Sequence, residues 1–393
     1  MRIRGSLGKG LLVALAISLI PVAAVSAQKI TPGSTCKVLK QKVVYLKKTY
    51  TCTKSGNKLV WNKGVAVTSG KKQAAPAPVA SPTPSQTGPT APITFDNLDL
   101  KWTSVVARQN LLSEFAALSQ PNSTANFRIG PNVREDLLSE EKRLLAIAER
   151  MFSGYFLPSS FEILVYSEKD GDWAEKEKDQ LVDPGGWSIS RDIANNPYGC
   201  NFAGATRTKT NLPMYHMCLD SKGRSVEDKQ TTIHEYFHLV QQKYALEKMT
   251  CWLVEGSATY FGVALGVDGS DPTGVSSQRF LNSLANQYNP GGSGTRGSAA
   301  ALRAKIASDS GAVEVLKDLD VRPGNCLPFA AYAVGAIATE ALIAVKGYRT
   351  YMDFISTFAV SVDWRSEFAK YYGITSDEFY LKLAPYLRGR LSG

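Results

Sequence analysis

The chain of 393 residues carries 45 lysines and arginines, 35 acidic residues and only three histidines. Its length allows two or three domains, and a hydrophobic content of 44% supports a substantial core, which excludes a wholly disordered chain. The formal net charge of +10 is unevenly placed, because residues 1–95 hold 14 basic residues and no acid, whereas residues 96–393 carry a net charge of −4. The basicity therefore belongs to the N-terminal part alone and does not characterise the substrate of the rest.

Residues 1–27 have the pattern of a signal peptide. Basic residues precede an apolar stretch, Leu11–Ile20, and small residues end the segment at Ala27. An apolar core of about ten residues is shorter than the roughly 20 that a membrane-spanning helix needs, which favours cleavage after Ala27 over an uncleaved anchor. No other run approaches the length of a spanning helix. We therefore expect an exported protein without a stable membrane span after cleavage, for which nucleic acid is a poor partner.

The six cysteines indicate disulfides. An even number of cysteines in an exported chain is typical of a disulfide framework, and no Cys-x-x-Cys spacing indicates a cysteine metal site. Fifteen pairings are possible among six cysteines. Their positions favour three local pairs, namely Cys36–Cys52, Cys200–Cys218 and Cys251–Cys326.

Residues 28–66 read as a small basic β module. Three short β-prone runs are separated by a lysine pair and by a hairpin turn at Ser55–Asn57. So few residues bury little core, and the Cys36–Cys52 bridge would compensate for this. Residues 67–95 are rich in proline, alanine and serine and read as a linker, which marks a domain boundary.

The stretch from Cys36 to Gly64 resembles a short module found near the N-terminus of exported actinobacterial proteins. The resemblance covers about forty residues. The lysines of this module imply docking on an anionic cell-wall polymer, with a merely solubilising surface as the alternative.

Residues 96–393 read as one α+β domain, mainly helical with a small mixed sheet. Residues 161–166 predict a strand, and residues 201–219 predict a hairpin closed by the Cys200–Cys218 bridge. A capping-box-like start at Ser225 predicts a helix that runs to about Leu246. Apolar spacing predicts further helices at residues 111–118, 137–152, 252–265, 278–287, 298–307, 328–345, 348–358 and 376–387.

Residues 234–238 read H-E-Y-F-H and contain two of the three histidines. In a helix, His234 and His238 lie on one face with Cβ atoms about 5–6 Å apart, so both imidazoles can reach a single metal ion. Glu235 points beside that ion, where a carboxylate can take a proton from the attacking water and pass it to a leaving amine. The motif predicts a zinc-dependent hydrolase with one Zn²⁺ per chain and Glu235 as the general base.

A catalytic zinc site needs a third protein ligand, and Glu255 is the candidate. Residues 252–260 read W-L-V-E-G-S-A-T-Y and follow the histidine pair after a short interval. Together the two motifs resemble the gluzincin metallopeptidases, closest to the aminopeptidase N family and its short relatives, the peptidase MA-like proteins. The resemblance covers roughly residues 140–390 and implies a zincin-like fold, peptide-bond hydrolysis and Glu255 as the third zinc ligand.

Tyr332 begins a second part of this resemblance. Residues 332–335 read Y-A-V-G, similar to the Y-x-x-G of the aminopeptidase N family, in which the tyrosine hydroxyl stabilises the tetrahedral intermediate. This implies the same role for Tyr332, with packing in the core as the alternative.

Two departures from the family pattern bear on the expected activity. Thermolysin-like members place an acid four residues after the third ligand to hold the first histidine, whereas this chain has Thr259 there. The G-x-M-E-N signature that captures a free N-terminus is absent, which favours an endopeptidase over an aminopeptidase.

Two other features have less specific readings. His216 in a predicted strand is expected to pack there, or to line the cleft, more than to act as a fourth ligand. Residues 292–297 match G-x-G-x-x-G, but no predicted strand precedes them, so a loop is favoured over a nucleotide site.

These patterns predict a secreted zinc metallopeptidase, with residues 28–66 as the part that would attach it to the cell wall. The alternatives are an amidase acting on cell-wall peptides and a catalytically silent cell-surface protein of the same fold.

Overall fold

The computed structural model describes residues 31–36, 39, 42–45, 48–66, 91–183, 185, 187–195, 200, 202–285, 299–320, 330–361 and 363–391. The chain divides into two compact units, Met1–Ser85 and Gln86–Gly393, with the boundary inside the predicted linker. The predicted signal peptide, residues 67–90 of the linker, and the glycine-rich residues 292–297 lie outside the described residues.

The first unit contains a small antiparallel sheet. Its strands are β1 (Lys42–Tyr45), β2 (Lys48–Ser55), β3 (Lys58–Trp61) and β4 (Val65–Ala66). Strand β2 pairs with each of the other three, and the turn predicted at residues 55–57 joins β2 to β3. Tyr50, Cys52 and Trp61 form its buried cluster, and the predicted Cys36–Cys52 disulfide joins Cα atoms 5.9 Å apart. A core of three side chains explains why such a unit needs a disulfide.

The second unit contains a mixed sheet of four strands in the order β5-β6-β8-β7. The strands are β5 (Ala125–Ile129), β6 (Phe161–Tyr166), β7 (Ala203–Arg207) and β8 (Pro213–Cys218). Strands β5, β6 and β8 run parallel, and β7 pairs antiparallel with β8 at one edge. The predicted hairpin and its Cys200–Cys218 disulfide are confirmed, with Cα atoms 5.1 Å apart. Strand β5 was not predicted.

The two faces of this sheet are covered by different apolar clusters. On β6, Phe161, Ile163 and Val165 join the main core, whereas Leu164 and Tyr166 join a smaller cluster with Ala174 and Ile189. This alternation follows from the period of two along a strand, and it explains why all six β6 residues are buried.

Thirteen helices are present among the described residues of the second unit, so the α+β class is confirmed. They are α1 (Thr103–Ala117), α2 (Glu135–Phe152), α3 (Gly171–Leu181), α4 (Ile189–Asn195), α5 (Thr231–Lys243), α6 (Cys251–Gly262), α7 (Asp268–Ser270), α8 (Val275–Ala285), α9 (Ala299–Lys305), α10 (Asp309–Asp318), α11 (Ala330–Thr357), α12 (Trp364–Tyr372) and α13 (Ser376–Leu391). Apolar spacing did not predict α3, α4, α7, α10 or α12, and of these α3 is highly charged and buries few side chains. A 3₁₀ turn, Glu227–Gln230, precedes α5 where the sequence suggested continuous helix.

Helices α6 and α11 touch backbone to backbone. A Cβ atom on Gly256 would overlap the backbone of Gly335, and one on Gly335 would overlap the carbonyl of Trp252. Only glycine allows this approach. Gly256 follows Glu255, and Gly335 lies one turn after Tyr332. The contact between the two glycines therefore brings Glu255 and Tyr332 into the same part of the fold.

The expectation that no run beyond the signal peptide approaches the length of a spanning helix was wrong, because α11 alone among the described helices is long and apolar enough to cross a membrane. The most apolar 18-residue window within residues 330–359 has a mean hydropathy of 1.3, but 78% of that window is buried inside the fold. Gly347 (φ 82°) breaks the helix into two segments. The burial is typical of a core helix.

Candidate metal centre

The two histidines of the H-E-x-x-H motif lie on α5 and face each other. His234 and His238 are 4% and 9% exposed, and their Nε2 atoms are 3.0 Å apart. Spacing of four residues places both rings on one face of the helix, as the sequence predicted. Two imidazole nitrogens this close cannot both carry a proton on these atoms, so either one proton or a metal ion lies between them.

Glu255 reaches this pair from α6. Its Oε2 atom lies 3.5 Å from Nε2 of His234 and 3.4 Å from Nε2 of His238. The ligand atoms of the three residues all lie within 4.8 Å of one another, so the group could hold a metal ion. We call His234, His238 and Glu255 the metal group.

The spacing of the metal group fits a tetrahedral ion. Zinc binds histidine nitrogen and carboxylate oxygen at about 2.0–2.2 Å, so two of its tetrahedral ligand atoms lie about 3.3–3.6 Å apart. The observed separations of 3.0, 3.4 and 3.5 Å are close to these values. Glu255 Oε2 is buried without a hydrogen-bond partner among the described residues, so this oxygen is available to bind a cation.

Gln241 sets the orientation and tautomer of His238. Its Nε2 donates to the carbonyls of Leu253 (3.2 Å) and Val254 (2.9 Å), so its Oε1 faces Nδ1 of His238 at 2.7 Å. A carbonyl oxygen accepts only, so Nδ1 of His238 carries a proton and Nε2 is the nitrogen left to bind either a metal ion or a second proton. Gln241 also ties α5 to the first turn of α6, which carries Glu255.

Thr259 and Tyr332 surround the other histidine. Thr259 Oγ1 lies 3.5 Å from Nδ1 of His234, at the outer limit of a hydrogen bond. This is the position where the sequence departs from the gluzincin pattern, so the hydroxyl provides a weaker contact than an acid would. The ring of Tyr332 stacks on His234 with centroids 5.7 Å apart and planes inclined by 5°.

Glu235 lies beside the metal group without belonging to it. The side chain is 6% exposed, and Oε2 is buried with no hydrogen-bond partner among the described residues. Burial raises the pKa of Glu235, and the nearby Glu255 raises it further, whereas the two histidines lower it. A carboxylate with a raised pKa and a vacant oxygen is suited to accept and release a proton.

The charges of the metal group depend on one another. Burial opposes ionisation of both partners, yet the Glu255 carboxylate raises the pKa of His238 to about 9, and the histidines hold the pKa of Glu255 well below its usual range. The carboxylate is therefore matched by a cation, which is either a proton or a metal ion, and metal binding must displace the proton.

Tyr332 begins α11 and completes the arrangement. Its half-buried side chain hydrogen-bonds to Glu255, and burial together with Glu255 and Glu235 raises the pKa of its hydroxyl well above the usual value. The hydroxyl therefore stays protonated and can donate a hydrogen bond at neutral pH. The structure thus brings together all five residues singled out from the sequence: Glu235, Tyr332, His234, His238 and Glu255.

His216 lies elsewhere. On β8 it has the same parity as Met214 and Cys218, which belong to the smaller cluster, and its Nδ1 lies 2.8 Å from the hydroxyl of Tyr166. Burial lowers the pKa of His216 to about 3, so the ring is neutral. His216 therefore packs in the sheet, as the sequence favoured. The strand at the edge of the sheet beside α5 is β7, and not β8, which carries His216.

Two supporting contacts were missed from the sequence. The first is the contact of Gln241 with His238. A glutamine three residues after a ligand histidine lies on the same side of the helix, and this spacing could have identified it. The other is Glu141 of α2, which accepts hydrogen bonds from Thr232 (2.5 Å) and Arg224 (2.7 Å) and so holds the start of α5. The sequence feature that could have identified Glu141 is its position as an acid on the apolar face of an amphipathic helix.

Cys251, the first residue of α6, is disulfide-bonded, and its predicted partner Cys326 lies outside the described residues. A bridge at Cys251 constrains the start of α6, the helix that carries Glu255.

No family model, curated protein or solved structure matches this chain.

Proposed function

We propose that this chain is an exported zinc metallopeptidase that hydrolyses peptide bonds within polypeptides. The observation that carries the proposal is the triangle of ligand atoms at 3.0–3.5 Å with the unpartnered carboxylate of Glu235 beside it. Two imidazoles and one carboxylate are the ligand set of one class of catalytic zinc site.

The residues of the chain have separate roles in this proposal. His234, His238 and Glu255 hold the ion, which when bound supplies Lewis-acid polarisation of the substrate carbonyl and lowers the pKa of water to about 7. Glu235 takes a proton from the attacking water on its vacant Oε2 and delivers it to the leaving amine nitrogen. The Tyr332 hydroxyl donates a hydrogen bond to the oxygen that becomes negatively charged.

The edge strand β7 supplies a place for an extended substrate. Strand β7 packs against α5 and pairs with β8 on one side only among the described strands. An extended peptide can add to such an edge through main-chain hydrogen bonds. Arg207 at the end of β7 donates to the carbonyl of Gln242 at 3.3 Å, which holds this strand against the metal helix.

The surroundings of the enzyme follow from the disulfides and from the first unit. Disulfides are typical of an oxidising environment, which supports export. The side chains of Lys48, Lys54, Lys58 and Lys63 are exposed on the first unit. They support attachment to an anionic cell-wall polymer.

One observation favours a second candidate, a catalytically silent protein of the same architecture. The contact from Thr259 to His234 is at 3.5 Å, where an acid would bind the ring more strongly. Metal bound at full stoichiometry without hydrolysis of any protein or cell-wall peptide would favour this candidate.

The test is metal analysis and peptide hydrolysis by the purified exported chain. We expect about one zinc per chain and cleavage of unfolded casein, with Glu235→Gln lowering the rate by at least about 100-fold while zinc stays bound. Glu247→Gln is the matched control, because Glu247 is exposed and lies just beyond α5. Full activity of Glu235→Gln would remove this residue from the mechanism. Hydrolysis of peptidoglycan peptides without cleavage of casein would instead make the protein an amidase.

A further inference from the structure

A second cavity lies in the helical part of the second unit. Its volume is about 600 Å³, and it is walled by α1, the end of α6, α8, α11 and the end of α13. None of the metal group, Glu235 or Tyr332 lines it. Glu340 on its wall lies eight residues after Tyr332 on α11, about 12 Å along the helix axis. The volume is within the range of about 300–1,000 Å³ that is typical of ligand pockets.

The outer wall of this cavity is apolar and exposed. Leu100, Val105 and Leu112 are 56%, 36% and 38% exposed, and they account for three of the nine large apolar side chains exposed among the described residues. Val105 and Leu112 lie on one face of α1, with Arg108 between them. Such a concentration of exposed apolar surface in a concave site is a mark of binding.

Two ion pairs occupy the inner wall, and they differ in the distance between the guanidinium and the carboxylate. Arg390 donates from one terminal nitrogen to Glu340 at 2.8 Å and to the hydroxyl of Tyr386 at 3.1 Å, so its charge is matched, although its Nε atom is buried without a hydrogen-bond partner among the described residues. Arg108 lies 3.9 Å from the nearest carboxylate oxygen of Asp268 and hydrogen-bonds only to the backbone carbonyl of that residue, at 3.0 Å. Arg108 is therefore the arginine of this wall whose carboxylate partner is the more distant.

Unpartnered polar atoms beside Arg108 indicate that a ligand could supply a hydrogen-bond acceptor in this cavity. Arg108 Nε and the hydroxyl of Tyr260 are both buried without a hydrogen-bond partner among the described residues, and Tyr260 is only 5% exposed. The carboxylate of Asp268 is already engaged by the hydroxyl of Ser277. A buried donor without an acceptor is destabilising, and an anionic ligand group would provide the missing acceptor.

We propose that this cavity binds an apolar monocarboxylate, with the carboxylate at Arg108 and the apolar chain along Val105 and Leu112. Guanidinium and carboxylate are matched in shape and charge, and the apolar wall excludes a small inorganic anion as the preferred ligand. A fatty acid and a peptide C-terminus that ends in an apolar residue share this chemistry. The site is independent of the metal group and of the proposed peptidase activity.

The test is calorimetric titration of the purified chain with octanoate and with N-acetyl-leucyl-leucine. We expect at least one of them to bind with a Kd at or below about 1 mM, and 1-octanol to bind at least about tenfold more weakly because it lacks the charge. Binding of octanoate alone would identify an acyl chain as the ligand, and binding of the dipeptide alone would identify a peptide C-terminus.

Two variants locate the binding, each with a matched control. Arg108→Gln should weaken binding by at least about tenfold, whereas Arg143→Gln, at an exposed arginine of α2, should leave it unchanged. Val105→Trp should fill the mouth and abolish binding, whereas Val360→Trp, at a valine that is 86% exposed elsewhere, should not. Circular dichroism checks that each variant is folded.

Three results would overturn the proposal: no binding of either carboxylate to the wild-type chain, equal binding of 1-octanol, or unchanged binding in folded Val105→Trp. The last result would place the binding outside this cavity.

Discussion

The side-chain carbonyl of Gln241 lies 2.7 Å from Nδ1 of His238. Because the amide nitrogen of Gln241 is engaged by backbone carbonyls of α6, this contact fixes both the tautomer of the histidine and the distance between the two helices that supply the metal group.

Replacing Gln241 should therefore weaken metal binding. Gln241→Met keeps the side-chain volume but removes the acceptor for His238 Nδ1–H, and we expect zinc affinity to fall by about 10–100-fold, as for other partners of ligand histidines. Competition with a chromophoric chelator measures this. Gln242→Met, at the neighbouring glutamine, is the control, and unchanged affinity in Gln241→Met would show that the contact does not orient the ligand.

Thr259 should matter much less than Gln241. Its hydroxyl lies 3.5 Å from Nδ1 of His234, at the limit of hydrogen bonding, so Thr259→Val should change zinc affinity by less than about threefold. The same chelator competition compares the two variants directly. A loss as large as that of Gln241→Met would mean that the threonine holds His234 as strongly as an acid would.

Gly256 and Gly335 should tolerate no side chain. Alanine at either position would force α6 and α11 apart, and we expect the free energy of unfolding to fall by about 1–3 kcal/mol or more. Displacement of α11 would also move Tyr332 from Glu255, so hydrolysis should fall more than zinc affinity. Urea denaturation measures the stability, and Gly269→Ala is the control because a Cβ atom there meets nothing within 4 Å. Wild-type stability in Gly256→Ala would contradict the close packing of the helices.

His216 should make folding stability depend on pH. Burial lowers its pKa from 6.5 to about 3 in the folded protein. Between these values the unfolded chain binds a proton that the folded chain does not, so the contribution of His216 is fully present above pH 6.5 and is lost as the pH falls towards 3. The slope should approach about 1.4 kcal/mol per pH unit within that window. The test is urea denaturation of the metal-free wild type and of His216→Phe from about pH 4 to pH 8. The free energy of unfolding should rise less steeply with pH in the variant than in the wild type. Parallel curves would place the titration elsewhere.

The exposed lysines of the first unit should carry attachment to an anionic polymer. Replacing Lys54, Lys58 and Lys63 together by glutamine should reduce binding to isolated cell walls, and binding of the wild type should weaken as salt rises above about 0.1 M. Replacing Lys101, Lys346 and Lys370 of the second unit is the matched control, since these lysines are also exposed. Equal binding by both triple variants would reduce the basic unit to a solubilising surface.

Local patterns determined much of this protein in advance. The spacing of His234 and His238, the period of β6 and the turn between β2 and β3 depend only on the geometry of a helix, a strand and a hairpin, which nearby residues specify. The α+β class and two of the disulfides followed from the same local patterns. The short or highly charged elements β5, α3 and α4 escaped because they show little apolar periodicity.

Only the tertiary structure decided what surrounds the histidine pair. Glu255 and Tyr332 reach it because Gly256 and Gly335 let two helices touch, and Gln241 reaches His238 because its amide is held by the backbone of another helix. The cavity at Arg108 is formed by residues that lie more than 280 positions apart, from Leu100 to Arg390. Contacts between distant segments depend on how whole elements pack, and that packing is not encoded in the spacing of neighbouring residues.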